Sequence, residues 1–344
     1  MFEVVLTLCL AGDPAICRVT LLPGHEASTL AACEKGVPAA PPIGEGLRAK
    51  GAASCRRVPD GLAFVEVAPG VFVHEGRIEE PDEANAGDVA NFAFVVGTEA
   101  VAVIDAGSTR TIAEGAWRAI RARTDLPVRF LILTHVHPDH SLGAPLFADA
   151  GAEVVAHEDL PRAMADRQAN YLESLSREIG AASAMGSGAV EVDVPVADRA
   201  ALDLGGRVLD LRAWPLAHTA TDLSVRDGGS GLLFTGDLVF DRHVPALDGS
   251  IRGWQAVLAD LRAQTLQGAV PGHGSVLLPW PEGAEATARY LDVLAGDTRE
   301  AIDRGVRVGE AARTAASAEA GRWQLFDAFN ARNATVAFAE LEWE

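Results

Sequence analysis

Phe130–Ser141, FLILTHVHPDHS, is the stretch that decides the fold. Its first four residues are apolar with no polar alternation, which marks a strand covered on both faces. Directly after it come three imidazoles and a carboxylate within six residues, His135, His137, Asp139 and His140. They sit at the C-terminal end of a buried strand, the edge where ligands gather in open α/β sheets. His135 and His137 are two apart, so on extended chain they face one way and can share one ion. Asp139 and His140 lie past a turn imposed by Pro138 and can point to a second ion.

Outward from this stretch, short β-rich runs alternate with helical ones. Strands are expected at Phe92–Val96, Val101–Ile104, Glu153–Ala156, Arg207–Leu211 and Leu232–Thr235, with a helix near Thr111–Arg123. Such alternation predicts a layered α/β domain, placed here at 58–300. Residues 162–190 are polar, Ala-rich and helical, either a lid over the cleft or a packed helix pair. After Pro281 the chain reads as helical at Ala286–Leu294 and Arg299–Asp303, and a C-terminal helical extension is expected over 301–344.

Residues 1–57 have another texture. Two strands, around Phe2–Leu10 and Ile16–Leu22, precede a helix near Ala27–Glu34. The linker Gly36–Gly46, GVPAAPPIGEG, then follows. Glu3 stands where a secretory leader would carry Lys or Arg, so Phe2–Leu10 reads as a strand rather than a leader. All four cysteines, Cys9, Cys17, Cys33 and Cys55, lie in this module. An even count in so small a unit points to two disulfides, with three pairings open. Four buried reduced thiols are the alternative. No CxxC pair is present, which argues against a zinc knuckle. Disulfides imply an oxidising compartment, in a bacterium the periplasm.

Composition narrows the function. Of 344 residues 49% are hydrophobic and 22% charged, which excludes disorder as the main state. Lys and Arg number 29 against 48 Asp and Glu, a net charge of −19 that speaks against a nucleic-acid partner. No run reaches the roughly 18 apolar residues needed to span a bilayer. Three further residues sit beside apolar runs as the first cluster does: His218 in PLAHTATD, Asp237 in LLFTGDLVF and His273 in VPGHGS. A buried carboxylate such as Asp237 is costly when unpaired, and a place between two cations offsets that cost.

In this order, His135-x-His137-x-Asp139-His140, His218, Asp237 and His273, the sequence resembles the metallo-β-lactamase-fold hydrolases over about residues 60–300. The resemblance implies a four-layer αββα sandwich carrying a small cysteine-bearing N-terminal α/β module. It implies that His135, His137 and His218 hold a first metal, that Asp139, His140 and His273 hold a second, and that Asp237 bridges. Asp139 and Asp237 then have catalytic roles. Asp105, in VIDAGST, matches a carboxylate that orients the ligands. Two zinc ions are implied, with iron or manganese compatible with the same donors. The implied reaction is attack of a metal-activated hydroxide on the carbonyl of a small ester, thioester or lactam. Leu142-Gly143 departs from the Gly-Gly pair common in the family.

The N-terminal module and the ending NATVAFAELEWE also resemble a narrower group, the SoxH-like zinc metallohydrolases of the quinoprotein relay system. That likeness implies association with a periplasmic redox protein. Two other classes remain open on sequence: an iron-dependent persulfide dioxygenase or oxygen reductase on the same scaffold, and a partner-binding protein with a vestigial metal site. Arg242 and His243 are read either as an anchor for a substrate carboxylate or as a solvated pair. His157 is read as a core histidine, and His25 and His74 as surface residues.

Overall fold

The structure, a computed structural model, describes residues 1–343, so the end of the last expected helix at Glu344 lies outside the described residues. Two β-sheets stack face to face. The first has seven strands in the order 194–196, 153–157, 128–133, 101–104, 92–96, 71–74 and 65–68. The second has five, in the order 199–203, 208–213, 223–227, 232–240 and 268–273. Between them lies one apolar layer to which both sheets contribute, including Ile104, Ile132, Leu211, Val225 and Phe234. Helices cover the outer faces. Arg110–Arg121 and Pro145–Asp149 pack through Trp117, Ile120 and Phe147 on the first sheet. Ile251–Arg262, Glu285–Asp303 and Phe326–Leu341 pack through Trp254, Tyr290, Leu294 and Ala337 on the second. This is an αββα sandwich.

The decisive strand runs Val128–Leu133 and pairs in parallel with Val101–Ile104 and Glu153–His157. Phe130–Leu133 are all buried, as their unbroken apolarity requires. Leu232–Phe240 is longer than the sequence indicated: nine buried residues, with Gly236 and Asp237 inside the strand. The two helical stretches expected after Pro281 are one helix, Glu285–Asp303, which runs unbroken through Gly296. A division of the chain at residue 300 falls within that helix.

The N-terminal module is a small sheet in which Phe2–Leu10 pairs with Cys17–Ala27 on one side and with Leu47–Ala49 and Ser54–Arg57 on the other. The last two strands were not legible in the sequence, because each is only three or four residues long. Gly36–Gly46 contains no helix or strand, yet it returns the chain to the same sheet instead of leading away from it. Cys9–Cys17 and Cys33–Cys55 are disulfides, so the reduced-thiol alternative does not hold. These bonds point to an oxidising compartment. Among the described residues no helix is long and apolar enough to cross a membrane.

Candidate metal centre

Two loops, one strand interior and one strand end converge at one end of the sandwich. Val128–Leu133 delivers His135 and His137, then turns into the short helix Pro138–Ser141 that carries Asp139 and His140. Proline suits that first helical turn, since its missing N–H has no partner there in any case. His218 comes from the loop between Val208–Ala213 and Leu223–Asp227, Asp237 from within Leu232–Phe240, and His273 from the end of Gly268–His273. Close backbone approach makes this convergence possible. A β-carbon at Gly272 would lie 1.9 Å from Asp237 Oδ1, and one at Gly143 would lie 2.1 Å from the Ala106 carbonyl oxygen. Glycine is therefore needed at the second position of the Leu142-Gly143 pair, while Leu142 is fully buried.

The structure brings all seven expected side chains together in two groups. His135, His137, His218 and Asp237 form one, and Asp139, His140 and His273 the other, with the donor atoms of each group within 4.8 Å of one another. His137 Nδ1 lies 3.1 Å from both His135 Nε2 and His218 Nε2. His140 Nε2 lies 3.4 Å from His273 Nε2. Asp237 sits between the groups. Its Oδ2 is 3.4 Å from both His218 Nε2 and His273 Nε2, and 3.7 Å from His135 Nε2.

Four of the five imidazoles rest their outward nitrogen on an acceptor. His140 Nδ1 donates to Asp105 Oδ2 (2.9 Å), His273 Nδ1 to the Val89 carbonyl (2.9 Å), and His137 Nε2 to Asp248 Oδ2 (3.2 Å). His135 Nδ1 donates to Thr134 Oγ1 (3.0 Å), whose own hydroxyl donates to Asp105 (2.8 Å). With the outward nitrogen protonated in each, lone pairs face inward. Asp237 Oδ1 is buried and has no hydrogen-bond partner, although His140 Nε2 lies 3.1 Å away out of line. Inward imidazole nitrogens crowded against a carboxylate oxygen without a hydrogen-bond partner need protons or a cation among them, so this donor set fits divalent metal. Histidine and carboxylate donors accept zinc, iron or manganese.

Electrostatics agree. Burial, with His140 beside it, holds His135 well below the usual imidazole range, and burial takes His218 down to about 3. Burial acts in the same direction on His140 and His273, but Asp237 and neighbouring carboxylates outweigh it. His140 is raised well above the usual value, and His273 to about 9. Asp237, despite its burial, is held far below the usual carboxylate range by His273 and His140. Protons on His140 and His273 thus balance the buried acids, in positions that cations can take over.

His137, Asp139, Asp237 and His273 form the floor of a cavity of about 250 Å³, with His135, His140 and His218 buried beneath them. Its walls are largely apolar: Val89, Leu175, Phe240, Leu247 and Phe329, with Tyr171 beside them. Residues Tyr171, Ser174, Leu175 and Glu178 belong to the helix Leu160–Ile179, so the insertion read from sequence forms one wall of the cleft. Phe329, Arg332 and Asn333 come from the last helix. None of these wall residues stood out in the sequence, because each reaches the cleft only through tertiary packing. Asp248 was missed as well, with no sequence signal beyond an acid just before a Ser helix cap.

His243 and Arg242 part company. His243 is buried, lines the cavity, and its Nδ1 donates to the Val244 carbonyl (2.5 Å). Arg242 points elsewhere, to Glu75 and Asp241, and is not part of the cavity lining. Its backbone adopts φ +62, which turns the side chain away from its neighbour. Of the pair, only His243 lines the cavity, while Arg242 is half in solvent and paired with acids. His157 is buried. His74, expected at the surface, is buried too and bonded to Asp88 Oδ1 (2.7 Å), and His25 is half-buried.

The Metallo-beta-lactamase superfamily profile matches residues 86–279, more than half of the chain. No curated protein matches in sequence. Among solved structures, a metallo-beta-lactamase from Pontibacter korlensis superposes with a TM-score of 0.54 at 22% identity, covering 67% of this chain and 99% of that one. A metallo-beta-lactamase family protein from Thermus thermophilus gives 0.59 at 20% identity, over 80% and 93% of the two chains. The stereoselective inverting sec-alkylsulfatase Pisa1 from Pseudomonas sp. gives 0.63 at 14% identity, over 81% of this chain but only 50% of that one. At these identities the likeness is one of fold.

Proposed function

The chain belongs to the metallo-beta-lactamase superfamily, and from that premise we propose that it is a dinuclear metal-dependent hydrolase of small carbonyl substrates, esters or thioesters before lactams. One observation carries the reading: five imidazoles and two carboxylates converge at one end of one cavity, which His137, Asp139, Asp237 and His273 line directly. In this proposal His135, His137 and His218 hold one ion, Asp139, His140 and His273 the other, and Asp237 spans both. When bound, such ions supply Lewis acidity, lowering the pKa of water to about 7 and polarising a carbonyl oxygen.

The protein's own part is positional. Asp105 fixes His140 directly and His135 through Thr134. The side chain of Asp139 is the most open of the seven, 21% exposed, and its Oδ2 lies 3.4 Å from His273 Nε2. That carboxylate faces the cavity and is held ionised by His140 and His273, well below the usual carboxylate range, while Asp237 at 3% is closed to solvent. Phe240, Leu247, Leu175 and Phe329 give the cavity apolar walls, which strengthens charge interactions at the floor.

The charges around the cavity bear on the substrate. Glu79, Glu80, Glu178 and Asp248 line it against the single cation Arg332, which itself pairs with Asp248. Away from the metal-binding floor, a substrate group bearing its own carboxylate meets Glu79, Glu80 and Glu178, and a neutral acyl group meets no such repulsion. Zinc as the native metal, a periplasmic setting and membership of the SoxH-like branch complete the proposal, supported by the disulfide-bonded module.

Purification without added metal, followed by metal analysis and an ester, thioester and lactam panel, tests it. The expected result is two zinc per chain and ester or thioester turnover that a chelator abolishes and zinc restores. Tightly held iron would instead support the oxidoreductase alternative. Failure to take up any metal would leave a vestigial site.

A further inference from the structure

Asp248 makes contacts beyond those expected of a loop acid. Its carboxylate takes the outward nitrogen of His137 at 3.2 Å, and its backbone N–H donates to the His218 carbonyl at 3.1 Å. Two of the three histidines in the first group are thereby held from one residue. The turn that carries it is clamped in place. Ser250 N–H donates to the Ala217 carbonyl at 2.8 Å, and a β-carbon on Gly249 would approach that same oxygen to 2.3 Å. Two arginines fix the carboxylate from the other side. Arg167 of the helix Leu160–Ile179 lies 3.5 Å from Oδ2, and Arg332 of the helix Phe326–Leu341 lies 3.4 Å from Oδ1.

An imidazole that gives one nitrogen to a cation needs an acceptor for the N–H of its other nitrogen. A carboxylate in that place fixes the tautomer, aims the ring and makes it a better donor. For His137 no other acceptor is bonded to Nε2, whereas His140 and His135 depend on Asp105. We infer that Asp248 is the positioning residue for His137, setting its tautomer and ring orientation for the first metal group, with Arg167 and Arg332 holding the carboxylate in register. The inference rests on the metal reading above, and it divides the work of orientation between two acids, Asp105 for His135 and His140 and Asp248 for His137.

The test is zinc affinity, measured by chelator competition on the whole chain, for wild type, Asp248→Ala and Asp248→Asn. Loss of such an outer acceptor typically weakens metal binding by about 10–100-fold, and that is the expectation for Asp248→Ala. Asp248→Asn keeps an acceptor oxygen and is expected to recover part of the loss. In parallel, the His137 Nε2–H proton resonance of the zinc-loaded chain should move in Asp248→Asn and vanish by exchange in Asp248→Ala. A packing role alone would change the melting temperature of the metal-free chain and leave affinity and resonance in place. Folded Asp248→Ala with wild-type affinity overturns the inference. If that variant does not fold, unchanged affinity and resonance in Asp248→Asn overturn it equally. A wild-type chain that takes up no zinc overturns the hydrolase reading itself, so the two failures are told apart.

Discussion

Two regions of this molecule bury acids, and they treat them oppositely. Where the N-terminal module meets the sandwich, Glu3 and Glu114 are 1% and 3% exposed. Glu3 is held by Arg56 and Arg118, each at 2.8 Å. Glu114 accepts from Arg18 at 2.9 Å and from the Leu21 N–H at 3.1 Å, with Arg110 and Arg118 just beyond. At the cleft floor Asp237 is equally buried, but one oxygen has no hydrogen-bond partner and the nearest groups are imidazoles turned lone pair inward. Buried charge compensated by fixed arginines is architecture, while buried charge whose only partners are titratable metal-donor imidazoles marks a place for a mobile cation.

The sharpest way to break this contrast is Asp237→Asn. Turnover is expected to fall by about 10³-fold, since the substitution removes the charge that spans both groups. In the metal-free chain Asp237 is paired only with protons on His140 and His273, so the metal-free variant should melt slightly lower than the metal-free wild type, and by much less than a structural acid's loss would cost. A large loss of metal-free stability would show instead that Asp237 is a structural acid like Glu114.

At the seam the signs reverse. Glu114→Ala leaves Arg18 and Arg110 facing a buried gap and is expected to cost about 3 kcal/mol of stability, the usual range for breaking a buried pair by one partner. Activity per folded molecule should stay at the wild-type level. Denaturant titration alongside the substrate assay reads both quantities, and a lost activity without lost stability would erase the distinction between the regions.

The sequence made the cleft floor legible and the seam illegible for the same reason. Four of the donors lie in six residues after an unmistakable strand, and His218, Asp237 and His273 each sit beside an apolar run, so local pattern sufficed. Glu3 and Arg118 are 115 residues apart, and Asp248 and His137 are 111 apart, with nothing local to pair them. The cavity walls share that limit: Tyr171 and Phe329 reach the site from helices whose docking depends on the whole core. The disulfides could be counted but not paired from sequence, because pairing is a property of the folded sheet.

Removing Cys33–Cys55, the longer of the two bridges, as a double alanine variant sharpens the module's side of the comparison. A loop closed over 22 residues is expected to contribute about 3 kcal/mol, mainly by restricting the unfolded chain. The Cys33 side chain also packs in the module's core, in the same apolar cluster as Met185 from the end of the helical insertion. Reduced stability with an unchanged KM would make the module a brace. A raised KM would mean that its support extends to the wall carried by Leu160–Ile179.

The smallest expected effect concerns pH and a histidine away from the cleft. His74 Nε2 donates to Asp88 at 2.7 Å and Nδ1 to the Ala63 carbonyl at 2.8 Å, so both nitrogens carry protons and the ring is cationic. Burial alone would lower its pKa, but the Asp88 hydrogen bond and charge outweigh it and raise the folded value above 6.5. A raised folded pKa contributes stability that is complete below the unfolded value and is lost as pH rises through the folded one. The wild type should therefore lose stability on the alkaline side of 6.5 in a way that His74→Gln does not, whereas both should respond alike below it. The floor histidines will not contribute the same slope once metal is bound, since their inward nitrogens no longer exchange protons. Parallel unfolding titrations of the metal-loaded proteins at pH 6 and pH 9 isolate the His74 contribution. Equal slopes in the two would place the proton elsewhere and leave the His74–Asp88 pair neutral.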